Sequence, residues 1–275
     1  PLQSIRTQIS KWSGLTGTVL PKTYPDGRIP HTGMDPVNAV TGAFLWSYTL
    51  LRDYGRDNLH FTIMYDSQRD EAVTMLGKGW THSFNYLLYK DEEYYYFSTP
   101  YDVVIPFRID EANGGCQQAE EMQENYTFAK KEDGSYVITA ADGVAYVFDA
   151  NLRLCSIMDG GSAAFLFTAD EEGQNVCIEG RHGRMFMLTY QNGHIAGVSD
   201  ALGNKAAFTY EANHLAALSD PAGNRMQFAY DDRDRLLEVK DFSGELYLTN
   251  QYDPYGRVNS QRVAGRGEST ASYNT

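Results

Sequence analysis

Residues 189–258 read TYQNGHIAGVSDALGNKAAFTY (189–210), EANHLAALSDPAGNRMQFAY (211–230), DDRDRLLEVKDFSGELYLTNQY (231–252) and DPYGRV (253–258). One pattern recurs in them: an aromatic, an acid or amide, a short polar turn, an aliphatic pair, Asp, two residues, Gly, a short strand, and an aromatic again. The aromatic slot falls at Phe148, Tyr190, Tyr210, Tyr230 and Tyr252, and at Ala169, where the ring is lost. The steps from slot to slot are 21, 21, 20, 20 and 22 residues. A fixed period of about 20 residues is the mark of a repeat architecture, and it holds two short strands and two turns of about four residues.

The turns carry the chemistry of the pattern. In Asp200–Gly203, Asp220–Gly223 and Asp241–Gly244, Asp bonds the backbone two residues on and Gly supplies a positive φ. The strand that follows alternates, Ala206, Phe208 and Tyr210 sharing one face, and Met226, Phe228 and Tyr230 likewise. The other turn accounts for the unequal steps. Five residues separate the aromatic from the next aliphatic in Asp231–Arg235 and Asp253–Arg257, against four after Tyr190 and Tyr210. The last unit gains a residue between Asp241 and Tyr252, which reads as a bulge. Aliphatics sit five and two residues ahead of the Asp slot at Leu154/Ile157, Ile195/Val198, Leu215/Leu218 and Leu236/Val239. A spacing of three puts them on opposite faces of a flat strand, so either both faces are covered or a bulge intervenes. The expected fold is all-β: an antiparallel hairpin-repeat sheet, strongly twisted and coiling, with open edges.

The unit resembles the YD repeat, Y-D-x-x-G-R-L, of the Rhs (rearrangement hot spot) proteins. Tyr252-Asp253-Pro-Tyr-Gly256-Arg257-Val258 is nearly a full match. Phe148-Asp149-Ala-Asn-Leu-Arg153-Leu154 keeps most of it, and Tyr230-Asp231-Asp-Arg-Asp-Arg235-Leu236 lacks the Gly. The units at 190 and 210 are one residue short and carry His194 and His214 where Arg is usual; the unit at 169 keeps Asp170 and Gly173. Upstream, Asp35-Pro36-Val37-Asn38-Ala39-Val40-Thr41-Gly42, Phe61–Ser67 and Leu76-Gly77-Lys78-Gly79-Trp80-Thr81-His82-Ser83 are similar in order and spacing to the N-terminal domain that precedes YD repeats. Strand-like runs in this block are 44–51, 59–65, 80–89, 94–98 and 103–108. In the G-x-G-W-x-H segment, glycines allow close backbone approach and Trp80 fills space, a packing device at least as much as a site.

The expected organisation is a lead-in at 1–33, a β domain at 34–112, linking hairpins or degenerate repeats at 113–147, the YD array at 148–263 and a frayed tail at 264–275. In the lead-in, Leu2, Ile5, Ile9 and Trp12 have helix-like spacing, and 22–33 reads as an extended connector. The polar stretch 113–125 reads as a solvated loop or hairpin tip. Asp133-Gly134 and Asp142-Gly143 mark hairpins. Beginning at Pro1 without Met or signal peptide, the chain reads as a piece of a longer protein with any targeting signal upstream.

Composition narrows the function. A net charge of −13 argues against nucleic-acid binding, which Lys and Arg drive. No apolar run approaches the roughly 20 residues of a membrane span. Neither a metal, a cofactor nor a catalytic constellation is expected: no CxxC, HExxH, GxSxG, P-loop or Rossmann motif occurs. His194 and His214 owe their spacing to the repeat, and the recurrent Asp residues are turn residues. The thiols Cys116, Cys155 and Cys177 are odd in number, and two-strand separation of about 9–10 Å keeps the last two beyond disulfide reach. Tyr94, Tyr95 and Tyr96 are the candidates for stacking on sugars, set against the simpler reading of cross-strand aromatic ladders.

The resemblance implies a non-enzymatic, secreted or surface-exposed bacterial protein whose repeats wind into a shell around a C-terminal cargo of the same polypeptide, usually a toxin. Further repeats and that cargo would be its partners, residues 34–110 would lie at or near the start of the shell, and the family's self-cleaving region would lie past the last residue here. YD repeats also occur in animal teneurins and wall-associated proteins, so an adhesion module binding cell-surface glycans is the alternative. A carbohydrate-active enzyme within the N-terminal block is a third reading.

Overall fold

The computed structural model describes residues 37–38, 41–52, 59–69, 73–110, 115–119 and 125–273. The helix-like spacing at Leu2–Trp12, the connector 22–33, Asp35 and the last two residues of the tail lie outside them. Among the described residues the chain is all-β and antiparallel, and no helix is long and apolar enough to cross a membrane.

Among its described residues the N-terminal block has three small sheets. Strands β1 (Leu45–Arg52), β2 (His60–Asp66) and β5 (Trp80–His82) form one; β3 (Val73–Thr74) and β4 (Gly77–Lys78) form a tight hairpin. Strands β6 (Leu87–Lys90), β7 (Tyr94–Ser98), β8 (Val104–Asp110) and β9 (Gly115–Gln118) form the third. The run expected as one strand over 80–89 breaks at 83–86, where Ser83 N–H and Oγ bond the Thr62 and His60 carbonyls and turn the chain. Gly115–Gln118, within the stretch expected as a solvated loop, pairs with β8 and widens that sheet.

The array is one open sheet of fifteen strands in sequence order. They are β10 (Tyr126–Lys130), β11 (Tyr136–Ala140), β12 (Ala145–Phe148), β13 (Leu154–Asp159), β14 (Ser162–Ala169), β15 (Asn175–Gly180), β16 (Met185–Gln191) and β17 (His194–Asp200), then β18 (Lys205–Glu211), β19 (His214–Ser219), β20 (Arg225–Tyr230), β21 (Leu236–Lys240), β22 (Leu246–Tyr252), β23 (Val258–Val263) and β24 (Gly267–Thr270). The stretch expected to fray thus contains β24, paired with β23, and the Tyr273 hydroxyl donates to the Val258 carbonyl at 2.6 Å.

A bulge in each unit resolves the three-residue spacing. Tyr190 pairs with Ile195 but Thr189 with Gly197; Tyr210 with Leu215 but Thr209 with Ala217; Tyr230 with Leu236 but Ala229 with Glu238. One residue after the aliphatic is skipped each time, so the next aliphatic returns to the same face. Ile195 and Val198, Leu215 and Leu218, and Leu236 and Val239 are therefore all buried. The extra residue of the last unit is a bulge as well, at Tyr247 between Lys240↔Leu246 and Val239↔Leu248.

The two faces of the sheet differ. Phe186, Leu188, Ala206, Phe208, Met226 and Phe228 are buried, whereas Met187, Thr189, Lys205, Thr209, Arg225 and Gln227 are exposed. The N-terminal block covers the apolar face. Phe61 meets Phe186, Phe84 meets Phe165 and Phe167, Tyr48 meets Phe242, and Phe97 meets Tyr146 and Phe148. Burying each such side chain contributes about 1.5–3 kcal/mol. The block is laid across units far along the array, not confined to its first strands.

Candidate functional site: the seam of repeat tyrosines under the N-terminal block

Where a unit keeps five residues in its first turn, its two turns are built alike. In each, the Asp N–H bonds the carbonyl four residues on, and Asp Oδ1 accepts backbone N–H groups two and four residues on. Asp149, Asp200, Asp231, Asp241 and Asp253 all do so. The "YD" aspartate and the Asp-x-x-Gly aspartate have one job. Leu152 and Asp234 hold φ near 64° where Gly256 holds 82°, so the missing glycines leave the turn unchanged.

Between units the tyrosines and basic residues interlock. The hydroxyls of Tyr190, Tyr210, Tyr230 and Tyr252 donate to the carbonyls of Asn175, Ile195, Leu215 and Leu236 at 2.6–2.8 Å. Each acceptor is the first or second residue of the strand after the preceding unit's turn. The residue in the Arg slot stacks on the next tyrosine: His194 on Tyr210 at 4.5 Å, His214 on Tyr230 at 4.6 Å, Arg235 on Tyr252 at 4.4 Å and Arg257 on Tyr273 at 4.6 Å. His thus does the stacking work of Arg, and these two histidines are occupied on separate rings. Arg235 and Arg257 also pair with Asp231 and Asp253 at 2.6 and 2.7 Å. Burial alone would raise both carboxyls, but the arginine pairing and backbone N–H bonds hold them below the usual carboxylate range. Tyr273 extends this ladder. A step of 21 residues from Tyr252, with an amide following, was its signal in the sequence.

The block caps what the bulges leave open. Ile195 N–H bonds the Met75 carbonyl at 2.7 Å, Leu236 N–H the Tyr65 hydroxyl at 2.9 Å, and Val258 N–H the Gly42 carbonyl at 2.8 Å. Trp80, fully buried, donates Nε1 to the Tyr230 hydroxyl at 2.8 Å. Lys78 reaches Asp234 at 2.7 Å, and His214 lies 3.2 Å from the same carboxylate. Tyr65→Phe should therefore leave the Leu236 N–H buried without a partner. We expect a loss of about 1–3 kcal/mol in denaturant unfolding, with faster hydrogen exchange at Leu236; an unchanged midpoint would show that the contact does not hold the seam.

The remaining candidates are placed as follows. Tyr95 and Tyr96 are buried and Tyr94 is half-buried. Strand β7 is interior to its sheet: Tyr95 packs on Tyr136 and Phe128, while Tyr96 stacks on Tyr89 and bonds Asp91 at 3.0 Å. Cys116, Cys155 and Cys177 are half-buried free thiols whose pKa burial pushes up. His82 is buried against Phe61, its pKa driven down to about 3 by desolvation, and so is neutral at working pH. A cavity of about 530 Å³ opens at β22–β24, lined by Tyr247, Gln251, Ser260, Arg262 and Glu268 among others.

One charged cluster has no signal in the sequence, because Arg69 and Asp102 are distant along the chain. Arg69 pairs with Asp102 at 2.7 Å and bonds the Pro100 carbonyl, with Asp66 close by. Desolvation, then the Asp102 charge, pushes Asp66 up to about 7, with Arg69 opposing. A carboxyl whose folded pKa lies above its unfolded value favours the fold below the unfolded value and loses that contribution as pH rises through the folded one. The protein should thus lose stability from this group as the pH rises toward and through neutrality. Asp66→Asn should flatten that part of the profile in urea melts, and equal slopes in both proteins would refute the assignment.

Comparison with known proteins adds the following. Residues 34–107 match a domain of unknown function (DUF6531). No curated protein matches. Among solved structures, a Tc holotoxin pore of Photorhabdus luminescens in a TccC3 variant is 15% identical, over 62% of this chain and 11% of that one, at a TM-score of 0.34. A porin-like protein from Bacteroides uniformis is 10% identical, over 86% and 96% of the two chains, at 0.25. A TcdB2–TccC3 structure is 10% identical, over 100% and 25%, at 0.15. This chain thus spans about a ninth of the first of these structures.

Proposed function

We propose that this chain is a non-enzymatic wall segment of an Rhs/YD-type protein, secreted or displayed at a bacterial surface, and that its partners are further repeats and a C-terminal cargo of the same polypeptide. The observation that supports it best is the commitment of the repeated polar groups. Tyrosine hydroxyls, turn aspartates and the Arg or His of each unit bond the neighbouring unit or their own turn, and where titratable groups of successive units do meet, at His214 and Asp234, the carboxylate is tied to Lys78 of the N-terminal block. Such a ladder extends without limit by adding units, each burying the face that a lone hairpin leaves exposed. One face is already given over to the N-terminal block, the other to solvent, as a wall requires. The test uses the longer polypeptide that carries this chain. Its C-terminal domain should resist protease while the wall is intact and become accessible when Trp80 is replaced by Ala. Equal cleavage with the wall intact would overturn the proposal, and so would turnover of a glycan panel member lost on substituting one carboxylate here.

A further inference from the structure

The units at Tyr190 and Tyr210 depart from the others by turning in two residues. Asn192 and Gly193 hold φ of 52° and 78°, and Ala212 and Asn213 hold 49° and 68°, the positive pair of a tight hairpin turn. Alanine is a poor residue for that region because its Cβ crowds the backbone. The array itself has no need of short turns, since the five-residue turns at 149–153, 231–235 and 253–257 sit in the same sheet with the same tyrosine ladder. What distinguishes the two short turns is their neighbour. The β3–β4 hairpin of the N-terminal block lies against them: the Met75 carbonyl takes the Ile195 N–H at 2.7 Å, and the Lys78 N–H donates to the Asn213 carbonyl at 3.3 Å. Gly77, at φ 92°, approaches so closely that a Cβ there would stand 2.7 Å from the Asn213 oxygen and 3.2 Å from the Leu215 nitrogen. Where the turns have five residues, the block supplies other acceptors, the Tyr65 hydroxyl and the Gly42 carbonyl. An added residue at Asn213 would enter the space that the Gly77 backbone fills.

We propose that the two shortened turns are a docking mark: they determine which repeat units the N-terminal block occupies, and the partner they fit is a tight hairpin with glycine at its point of closest approach. The departures from the repeat pattern are then a recognition surface and not decay. This holds whether or not the sheet encloses a cargo.

The test keeps the full chain and restores five residues between aromatic and aliphatic, in place of four, by inserting Gly after Asn213 and Ala after Asn192. Hydrogen exchange is read at Ile195 and Lys78, with Leu236 and Val258 as internal references. Exchange at the first pair should rise about tenfold or more, since an added residue in a filled space forces a local shift, while the reference pair stays protected. Unchanged protection of Ile195 and Lys78 would overturn the proposal. A glycine inserted after Gly203, in a turn of the opposite rim, should leave them protected; equal deprotection there would also overturn it. If the double insertion does not fold, Gly77→Ala answers the same question with the array untouched: selective exposure of Ile195 and Lys78 supports the docking mark, and retained protection refutes it.

Discussion

Trp80→Ala should cost about 3–5 kcal/mol of stability in denaturant unfolding, the range for removing a large aromatic from a packed core. The indole is wholly excluded from solvent and touches rings from both parts of the protein. Trp46 meets it edge-on at 5.5 Å and Tyr65 at 5.2 Å from the block; Phe228 lies at 4.9 Å from the array. The cavity left behind cannot collapse easily, because these rings are pinned by one another and Trp46 also packs on Phe228 at 5.5 Å. The Tyr230 hydroxyl would in addition lose a donor. Trp80→Phe separates the effects: it keeps most of the packing, loses the Nε1 bond and should cost distinctly less. Equal losses for Ala and Phe would mean that the hydrogen bond, not the packing, carries the contact.

Gly79→Ala should be nearly as damaging, at about 2–4 kcal/mol, from one added methyl. Gly79 holds φ at 79°, where a Cβ crowds the backbone, and that carbon would stand 2.5 Å from the Tyr65 ring. Tyr65 has little room to give. It is 2% exposed and its hydroxyl is held by the Leu236 N–H. The strain should pass along the ring to the array, so exchange at Leu236 should quicken together with the global loss. A variant as stable as the parent, with Leu236 still protected, would show that the ring shifts freely.

The all-β class, the period and the turns were legible in the sequence because each depends on residues a few positions apart. Asp, Gly and alternating apolar residues act through local backbone geometry, so position suffices to read them. The three-residue aliphatic spacing was visible too, but choosing a bulge over two covered faces requires the partner strand: only the pairing of Thr189 with Gly197 shows Ala196 pushed aside. The tyrosine ladder lay beyond reach for a similar reason, its acceptor being 15 or 16 residues back. The setting of Tyr94–Tyr96 was not legible because a strand covered on both faces has no alternation to announce it. The docking contacts join residues far apart along the chain, 150 positions in Trp80 to Tyr230 and 171 in Tyr65 to Leu236. Only the glycines beside Trp80 hinted at a close approach, and they did not say to what.

The ladder also has a direction. Each ladder tyrosine reaches back to the unit before it, and His194, His214, Arg235 and Arg257 reach forward to the ring that follows. Such a row is vectorial, like a zip with distinct teeth and sockets. During synthesis from the N-terminus, each new tyrosine emerges to find its carbonyl and its stacking partner already in place, so assembly can follow the ribosome without waiting for distant sequence. Whole units can then be duplicated or lost in evolution at little cost, provided the two short turns keep their place beneath the hairpin that reads them.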